Sequence, residues 1–365
     1  MATTRTDAYR DQLLAHAVHL GFAAVGVTTA APFDETRVAL ETRRDAGLAS
    51  TMQFTYRNPT RATTPTESLP DAASLVVGAW PYGGSDPAPP TGPVGRIARF
   101  ARGNPYAALR GALDTIAERL RGDGHRARVL MDDNALVDRA AAHRAGLGWW
   151  GKNTNLLIPD GGSWHLLGSV LTDLVLAPTP GPVADGCGTC RRCLDACPTG
   201  ALGSPGVLDA RKCLTWLLQA RGDFPREYRV ALGDRLYGCD DCQTVCPPSR
   251  SGLSDRSDPD ETWVDVLALL ALDDDELLER VGHWYIPGRQ ARYVRRNLLV
   301  VLGNAGDPAD ARVALAIEAA LTDDQAVVRS HAVWAARRLG LDPLLAPVVD
   351  DPDPAVQREL DAAMS

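Results

Sequence analysis

The chain reads as an α+β multidomain protein of three successive segments, 1–180, 181–252 and 253–365. Three observations carry that expectation. Short apolar runs of strand length alternate with helix-period segments as far as residue 180. All eight cysteines fall between positions 187 and 246, in a stretch rich in Gly and Pro. Beyond about residue 258 the pattern is helical, with Asp and Pro at the breaks. A length of 365 residues suffices for two or three domains, and 45% hydrophobic with 23% charged residues is ordinary globular composition with ample core.

Taken in order, residues 9–20 have the spacing of an amphipathic helix, and 22–27 read as a small-residue strand. Residues 74–80 and 127–131 are short apolar runs bounded by turn or polar residues, the pattern of buried strands. Helical periods cover 107–121 and 136–145, and 164–175 mixes alternating with continuous apolar character as a further strand. The Pro- and Gly-rich stretch 177–185 reads as a linker. A helix carrying Cys213 is expected over 209–220. Near the C-terminus, Asp323-Asp324-Gln325-Ala326-Val327-Val328-Arg329 recurs weakly as Asp351-Pro352-Asp353-Pro354-Ala355-Val356-Gln357. Helical pairs on that repeat read either as HEAT-like stacking or as generic surface helices.

The cysteines carry the chemistry. Cys187-x2-Cys190-x2-Cys193-x3-Cys197-Pro198 has the bacterial ferredoxin spacing, in which the fourth cysteine ligates the other cluster. The second run, Cys239-x2-Cys242-x3-Cys246-Pro247, lacks the leading cysteine of that pattern, and Cys213 is left to replace it. Eight thiolates divide into two sets of four, as two [4Fe–4S] clusters require. Cys187, Cys190, Cys193 and Cys246 are assigned to one cluster, and Cys197, Cys213, Cys239 and Cys242 to the other. Structural zinc also uses C-x2-C pairs, but two all-cysteine zinc sites seldom show so compact a run. Disulfides need an oxidising compartment, and the residues from Met1 onward show no apolar stretch of a signal peptide. The chain is therefore expected to carry electrons.

The longest apolar runs, 166–170 and 298–302, fall well short of a membrane span, so a cytoplasmic protein is expected. A net charge of −8 argues against a protein coated in nucleic acid but leaves room for a local basic patch. Such a patch is offered by Arg289, Arg292, Arg295 and Arg296, which fall close together on a helical wheel and suit phosphates, or else form a solvated face.

Further polar groups stand in irregular chain. Met131-Asp132-Asp133-Asn134 ends a strand, and a carboxylate there suits acid–base work in a cleft, or merely caps a helix. The turn Gly146-Leu147-Gly148-Trp149-Trp150-Gly151-Lys152-Asn153-Thr154-Asn155 has three glycines within six residues, which let the backbone approach something bulky closely. Its tryptophans wall a pocket or belong to the core. Tyr56-Arg57-Asn58-Pro59 and the stretch from Arg99 to Tyr106 are polar turns suited to an anionic or amide-rich ligand.

Together these motifs resemble the epoxyqueuosine reductases, cobalamin-dependent iron–sulfur enzymes that modify tRNA. The resemblance runs from about Tyr56 to Trp334. It is carried by Arg57-Asn58-Pro59, Met131-Asp132, the run from Ala145 to Thr154, the full cysteine set with Ala210-Arg211-Lys212-Cys213 and Tyr237-Gly238-Cys239, and matches at Arg296-Asn297-Leu298, Leu302–Gly306 and Val328–Trp334. It implies a nitroreductase-like α/β cobalamin domain, a bacterial ferredoxin-like two-cluster module and an α-helical HEAT-like C-terminal domain. The implied reaction removes the epoxide oxygen of epoxyqueuosine at the wobble position of tRNA anticodons, giving queuosine and water. The resemblance implies Asp132 as proton donor with Tyr106 assisting. It places Arg57, Asp132, Lys152, Asn153, Thr154, Asn155, Thr215, Asp240 and Asp241 around cobalamin, and Arg289, Arg292, Arg295 and Arg296 on tRNA. It also implies an external electron donor such as flavodoxin or ferredoxin, no membrane, and a monomer.

The chain departs from the family pattern twice. Pro105-Tyr106-Ala107 replaces a common Asp-Tyr-His, and Asp133-Asn134-Ala135 replaces a usual small-small-Pro. These changes leave open a cobalamin and iron–sulfur reductase of another substrate, small molecule or modified nucleoside. A non-catalytic iron–sulfur carrier is the third reading, and such a carrier needs no proton donor at Asp132.

Overall fold

The computed structural model describes residues 5–251 and 262–363. The expected boundary at 252/253 lies outside the described residues. Among the described residues the strands are β1 Ala24–Thr29, β2 Ser74–Pro81, β3 Val94–Ile97, β4 Ala127–Leu130, β5 Trp149–Trp150, β6 Leu156–Leu157, β7 His165–Thr172, β8 Arg235–Tyr237 and β9 Trp263–Asp265. The chain divides into two compact units, one of Met1–Ser85, Asn104–Arg211 and Asp241–Arg256, the other of Asp86–Gly103, Lys212–Asp240 and Ser257–Ser365. Among the described residues no helix is long and apolar enough to cross a membrane.

The first unit is built on an antiparallel sheet in the order β1-β2-β7-β4. β2 and β7 are central and apolar almost throughout, with Ser74 opposite Thr172 and Pro81 opposite His165. β4 lies at an edge, so Arg128 is exposed and Ala127 and Val129 half-buried, with Leu130 alone enclosed, where the apolar run implied a buried strand. Leu75, Val77, Leu130 and Leu171 share one core with Ala140, Ala141 and Ala142 of the helix Asp138–Arg144. The helix Pro105–Gly122 begins with Asn104 accepting from the Ala107 N–H and Pro105 in its first turn, both favourable helix-start features. It buries Leu109, Leu113, Ile116 and Leu120 at helical spacing and packs on β7 and β4.

Between β1 and the next helix the chain is irregular, and one side chain holds it. The Arg144 guanidinium donates to Thr28 Oγ1, Thr29 O, Ala31 O and Pro32 O, and stacks 3.3 Å over the Phe33 ring. Burial lowers its pKa to about 10, which leaves it charged at neutral pH.

The second unit holds a small sheet in the order β8-β3-β9. β9 corrects the expectation of a purely helical C-terminal part. The helix Arg292–Ala305 is central: Leu298, Leu299, Val301 and Leu302 join one core with Val328, Ala332, Val333 and Trp334 of the helix Ala326–Arg338. The acids 273–276 form a capping box, with Asp273 accepting from the Glu276 N–H and the Glu276 carboxylate accepting from the Asp273 N–H.

Two helical expectations shift. The helix near Cys213 spans only Leu214–Gln219, with Cys213 at its N-cap, because Asp209 turns the preceding chain by accepting from the Arg211 N–H. The four arginines do not share a helix face. Arg289 sits in a separate 3-10 turn, Pro287–Arg289, after Gly288 at φ +58, whereas the helix starts at Arg292.

Arg296 is 0% exposed and donates to Leu217 O, Leu218 O, Ala220 O and Gly222 O, with Asn297 Nδ2 also on Leu218 O. Its pKa falls to about 10 through burial. Arg296→Met removes the donor from these buried carbonyls and is expected to cost at least about 3 kcal/mol, read as a lowered unfolding midpoint in a urea titration followed by circular dichroism.

Candidate functional site

Among the described residues no cysteine is joined in a disulfide. Cys187, Cys190, Cys193 and Cys246 all belong to the first unit and interact with one another. Burial pushes the Cys193 thiol up, and the neighbouring thiols Cys246, Cys187 and Cys190 push it further. Burial likewise raises Cys246, against the hydrogen bonds of Ser249. Burial and mutual repulsion thus oppose ionising these thiols together, an opposition that a strongly cationic partner would relieve. Cys197 and Cys242 pack around Leu194 and Leu202 in the first unit. Cys213 and Cys239 belong to the second unit, where Cys239 follows β8 and packs against its core.

The glycine turn supports these loops. β5 and β6 form a hairpin, with Trp149 opposite Leu157 and Trp150 opposite Leu156. Gly146 and Gly148 do permit close approach, but to the chain itself: a Cβ there would collide with Pro180 O and Leu157 O respectively. Trp149 is buried against Cys246, Leu157, Val183 and Cys187, whereas Trp150 is 41% exposed beside His143. Lys152 Nζ donates to Gly188 O at 2.5 Å and Cys190 O at 2.9 Å, and Asn153 Nδ2 to Cys242 O at 3.3 Å. Lys152 and Asn153, expected on corrin amides, thus have their side chains on the cysteine loops instead.

The other half of the site is the loop after β4. Asp132 adopts φ +47, a left-handed conformation uncommon for a residue with a side chain and a feature that clusters at functional sites. Its N–H donates to Asp138 Oδ2 at 3.2 Å. Asp132 reaches solvent, yet protein atoms crowd its recess enough that desolvation is the main influence raising its pKa, followed by the Asp133 charge and opposed by Arg139. Asp138 is raised well above the usual carboxylate range, first by burial and then by Asp132, and its Oδ1 is buried without a hydrogen-bond partner. Arg139 also donates to Thr154 O, linking this loop to the hairpin turn.

Beside the loop, Phe54, Arg57, Asn58, Arg61 and Asn134 line a cleft of about 370 Å³. Arg57 is therefore brought together with the residues after Asp132. Asp138, Arg139 and Arg61 were not singled out in the sequence; a second acid six residues after Asp132 was the available signal. Tyr106 is half-buried in the first turn of Pro105–Gly122. Thr215 is half-buried on the helix Leu214–Gln219, and Asp241 opens the helix Asp241–Thr244. Asp240 is buried and its Oδ2 accepts from the Arg99 N–H at 2.8 Å, while burial raises its pKa.

The arginine patch is corrected in part. Arg296 is enclosed and has no face for a phosphate. Arg295 is held by Leu270 O, Leu272 O and Asp274. Arg289 is exposed but donates to Leu278 O and Gly282 O, and Arg292 to Gln290 and Gln325.

Comparison with known proteins bears on both halves. Residues 186–249 match the family profile of a 4Fe-4S double cluster binding domain. The chain is 34% identical to epoxyqueuosine reductase of Bacillus subtilis over 97% of this chain and 91% of that protein. It is 36% identical to epoxyqueuosine reductase of Xanthomonas campestris pv. campestris, over 88% and 93%. A crystal structure of epoxyqueuosine reductase with an epoxyqueuosine-modified tRNA-Tyr stem loop superposes with a TM-score of 0.89 at 32% identity, covering 97% of each chain. The Bacillus subtilis enzyme with its catalytic aspartate loop swung out of the active site gives 0.88 at 30% identity, again over 97% of each.

The thiol cluster makes a direct prediction. Cys246→Ala is expected to lower iron from about eight to about four per chain after anaerobic reconstitution, as measured by elemental analysis.

Proposed function

The chain belongs to the epoxyqueuosine reductase family, and from that premise we infer that it reduces epoxyqueuosine to queuosine at the wobble position of tRNA anticodons. The observation that carries this reading within the molecule is Asp132. Removing an epoxide oxygen as water takes an electron pair and a pair of protons, so a cluster-bearing reductase must also hold an acid at the reacting oxygen. Asp132 combines a pKa raised by burial, a strained loop position and access to solvent. Those properties favour the protonated form that a general acid needs, in a group still reachable by substrate.

Cobalamin is the proposed cofactor of the same site. The cleft at Arg57 offers guanidinium donors from Arg57 and Arg61 and amides from Asn58 and Asn134, which suit the carboxamides and phosphate of a corrinoid. Thr154, Asn155, Thr215, Asp240 and Asp241 remain proposed contacts. When bound, the corrin supplies low-potential electrons that no side chain provides. Tyr106 is proposed to assist Asp132 as a second proton donor. Within the departure at Asp133-Asn134-Ala135, Asn134 adds an amide to the cleft, while Ala135 is absorbed into the core.

The finer architecture belongs to the same proposal: a nitroreductase-like cobalamin domain at 1–180, a ferredoxin-like module at 181–252 and a HEAT-like region at 253–365. Helices Ala326–Arg338 and Pro354–Asp361, each preceded by the repeated acidic turn, support the last. The second cluster is proposed on Cys197, Cys213, Cys239 and Cys242. Arg289 and Arg292 are the proposed tRNA phosphate contacts. The working form is proposed to be a cytoplasmic monomer that takes electrons from a flavodoxin- or ferredoxin-type donor.

Asp132→Asn is expected to abolish conversion of epoxyqueuosine in a tRNA stem loop while the iron content is kept; retained turnover removes Asp132 from the mechanism. The active form of a general acid is the protonated one, so the rate is expected to fall as pH rises through the raised Asp132 pKa. Asp133 raises that pKa by like charge, so Asp133→Asn is expected to move this limb of the pH–rate profile to lower pH.

A further inference from the structure

Two polar groups of the hairpin turn have no role in the chemistry above, although both are committed to the first cysteine set. The Trp149 ring is buried against Cys187 and Cys246, and its Nε1 has no hydrogen-bond partner. Gly186, immediately before Cys187, lies against the same ring, where a Cβ would come within 2.7 Å of Cζ2 and 3.0 Å of Cε2. An indole N–H can only donate, and burying it without an acceptor costs about 1–3 kcal/mol. The side chains packed on the ring include those of Cys187 and Cys246, whose sulfurs can accept.

Lys152 approaches the same loop from the other end of the turn. Its ammonium sits on Gly188 O and Cys190 O. Both partners are neutral carbonyls, so neither cancels its charge. The main chain of Lys152 is itself tied down, its carbonyl accepting from the Gly206 N–H at 2.9 Å.

We propose that Trp149 and Lys152 tune the first cluster. The indole N–H donates to a sulfur of the cluster held by Cys187, Cys190, Cys193 and Cys246, and the ammonium adds positive charge beside it. The proposal rests on the cluster reading of those cysteines. Reduction adds one electron to the cluster and neither forms nor breaks a bond, so the reduced state is the more negative one. Hydrogen bonds to sulfur and nearby positive charge stabilise that state and raise the reduction potential. Trp149 and Lys152 therefore act as positioning residues of the electron path and touch no substrate.

The test follows the full-length protein, reconstituted anaerobically, through a mediated dithionite titration with both clusters monitored by EPR. Trp149→Phe keeps the ring and deletes the N–H; it is expected to shift the first cluster's midpoint down, with iron content and the second cluster's midpoint unchanged. Lys152→Met is expected to lower the same midpoint, and Lys152→Arg to restore it. Midpoints equal to wild type in both Trp149→Phe and Lys152→Met, with iron intact, overturn the proposal. An equal shift in both clusters overturns it too, since that marks a general loosening of the module. Wild-type protein that takes up no iron removes the cluster reading itself, a distinct result.

Discussion

Irregular chain can be enclosed only if its main-chain carbonyls find donors, and in this protein long cationic side chains supply them. Arg144 gathers the carbonyls between β1 and Phe33, Arg296 those after the helix that Cys213 caps, and Lys152 those of the first cysteine loop. The reason lies in the cysteine module. A cluster needs ligands from short loops that turn sharply, and such loops have few ladder hydrogen bonds of their own. A guanidinium offers five donors from one side chain, and an ammonium three, so one cation can replace a strand of missing partners. Much of what fixes the redox module therefore lies outside it in sequence, at positions 149–153 and 296–297.

That constraint explains where the sequence was legible. β2 was read within one residue because a central strand buried on both faces leaves a continuous apolar signal. The helix Pro105–Gly122 was legible from its spacing over 107–121, and Asn104-Pro105 starts it two residues earlier. The double-cluster domain over residues 186–249 was legible because ligand chemistry dictates the spacing of its cysteines. Arg296 was not: on a helical wheel it sits near Arg289 and Arg292, and nothing local distinguishes a guanidinium aimed at solvent from one enclosed by a distant loop. The contacts that Lys152 and Asn153 make with the cysteine loops escaped for the same reason. Their partners lie 36 or more residues away, and no local period reports such contacts.

Asp132 shows the complementary limit. Its identity as an acid at a strand end was visible, but its raised pKa comes from burial and from Asp133, and its left-handed backbone from the geometry of the loop. Asp138 escaped notice although it holds the Asp132 N–H, because an acid at a helix start ordinarily serves the helix. Here one oxygen serves the loop and the other has no partner, and burial with the neighbouring Asp132 raises the pKa of this second carboxyl well above the usual carboxylate range.

The hairpin turn between β5 and β6 joins these two environments. Lys152 and Asn153 face the cysteine loops, while Thr154, one residue on and at φ +67, receives Arg139 from the acid loop. Arg139 in turn is the charge that opposes the raised pKa of Asp132. A reductive removal of oxygen must deliver electrons and protons to one place without letting either arrive alone. A turn only five residues long that touches both the cysteine loop and the helix beside the acid holds the two supplies in fixed register. The left-handed Thr154, whose conformation costs on the order of 1 kcal/mol, lies in the turn between them.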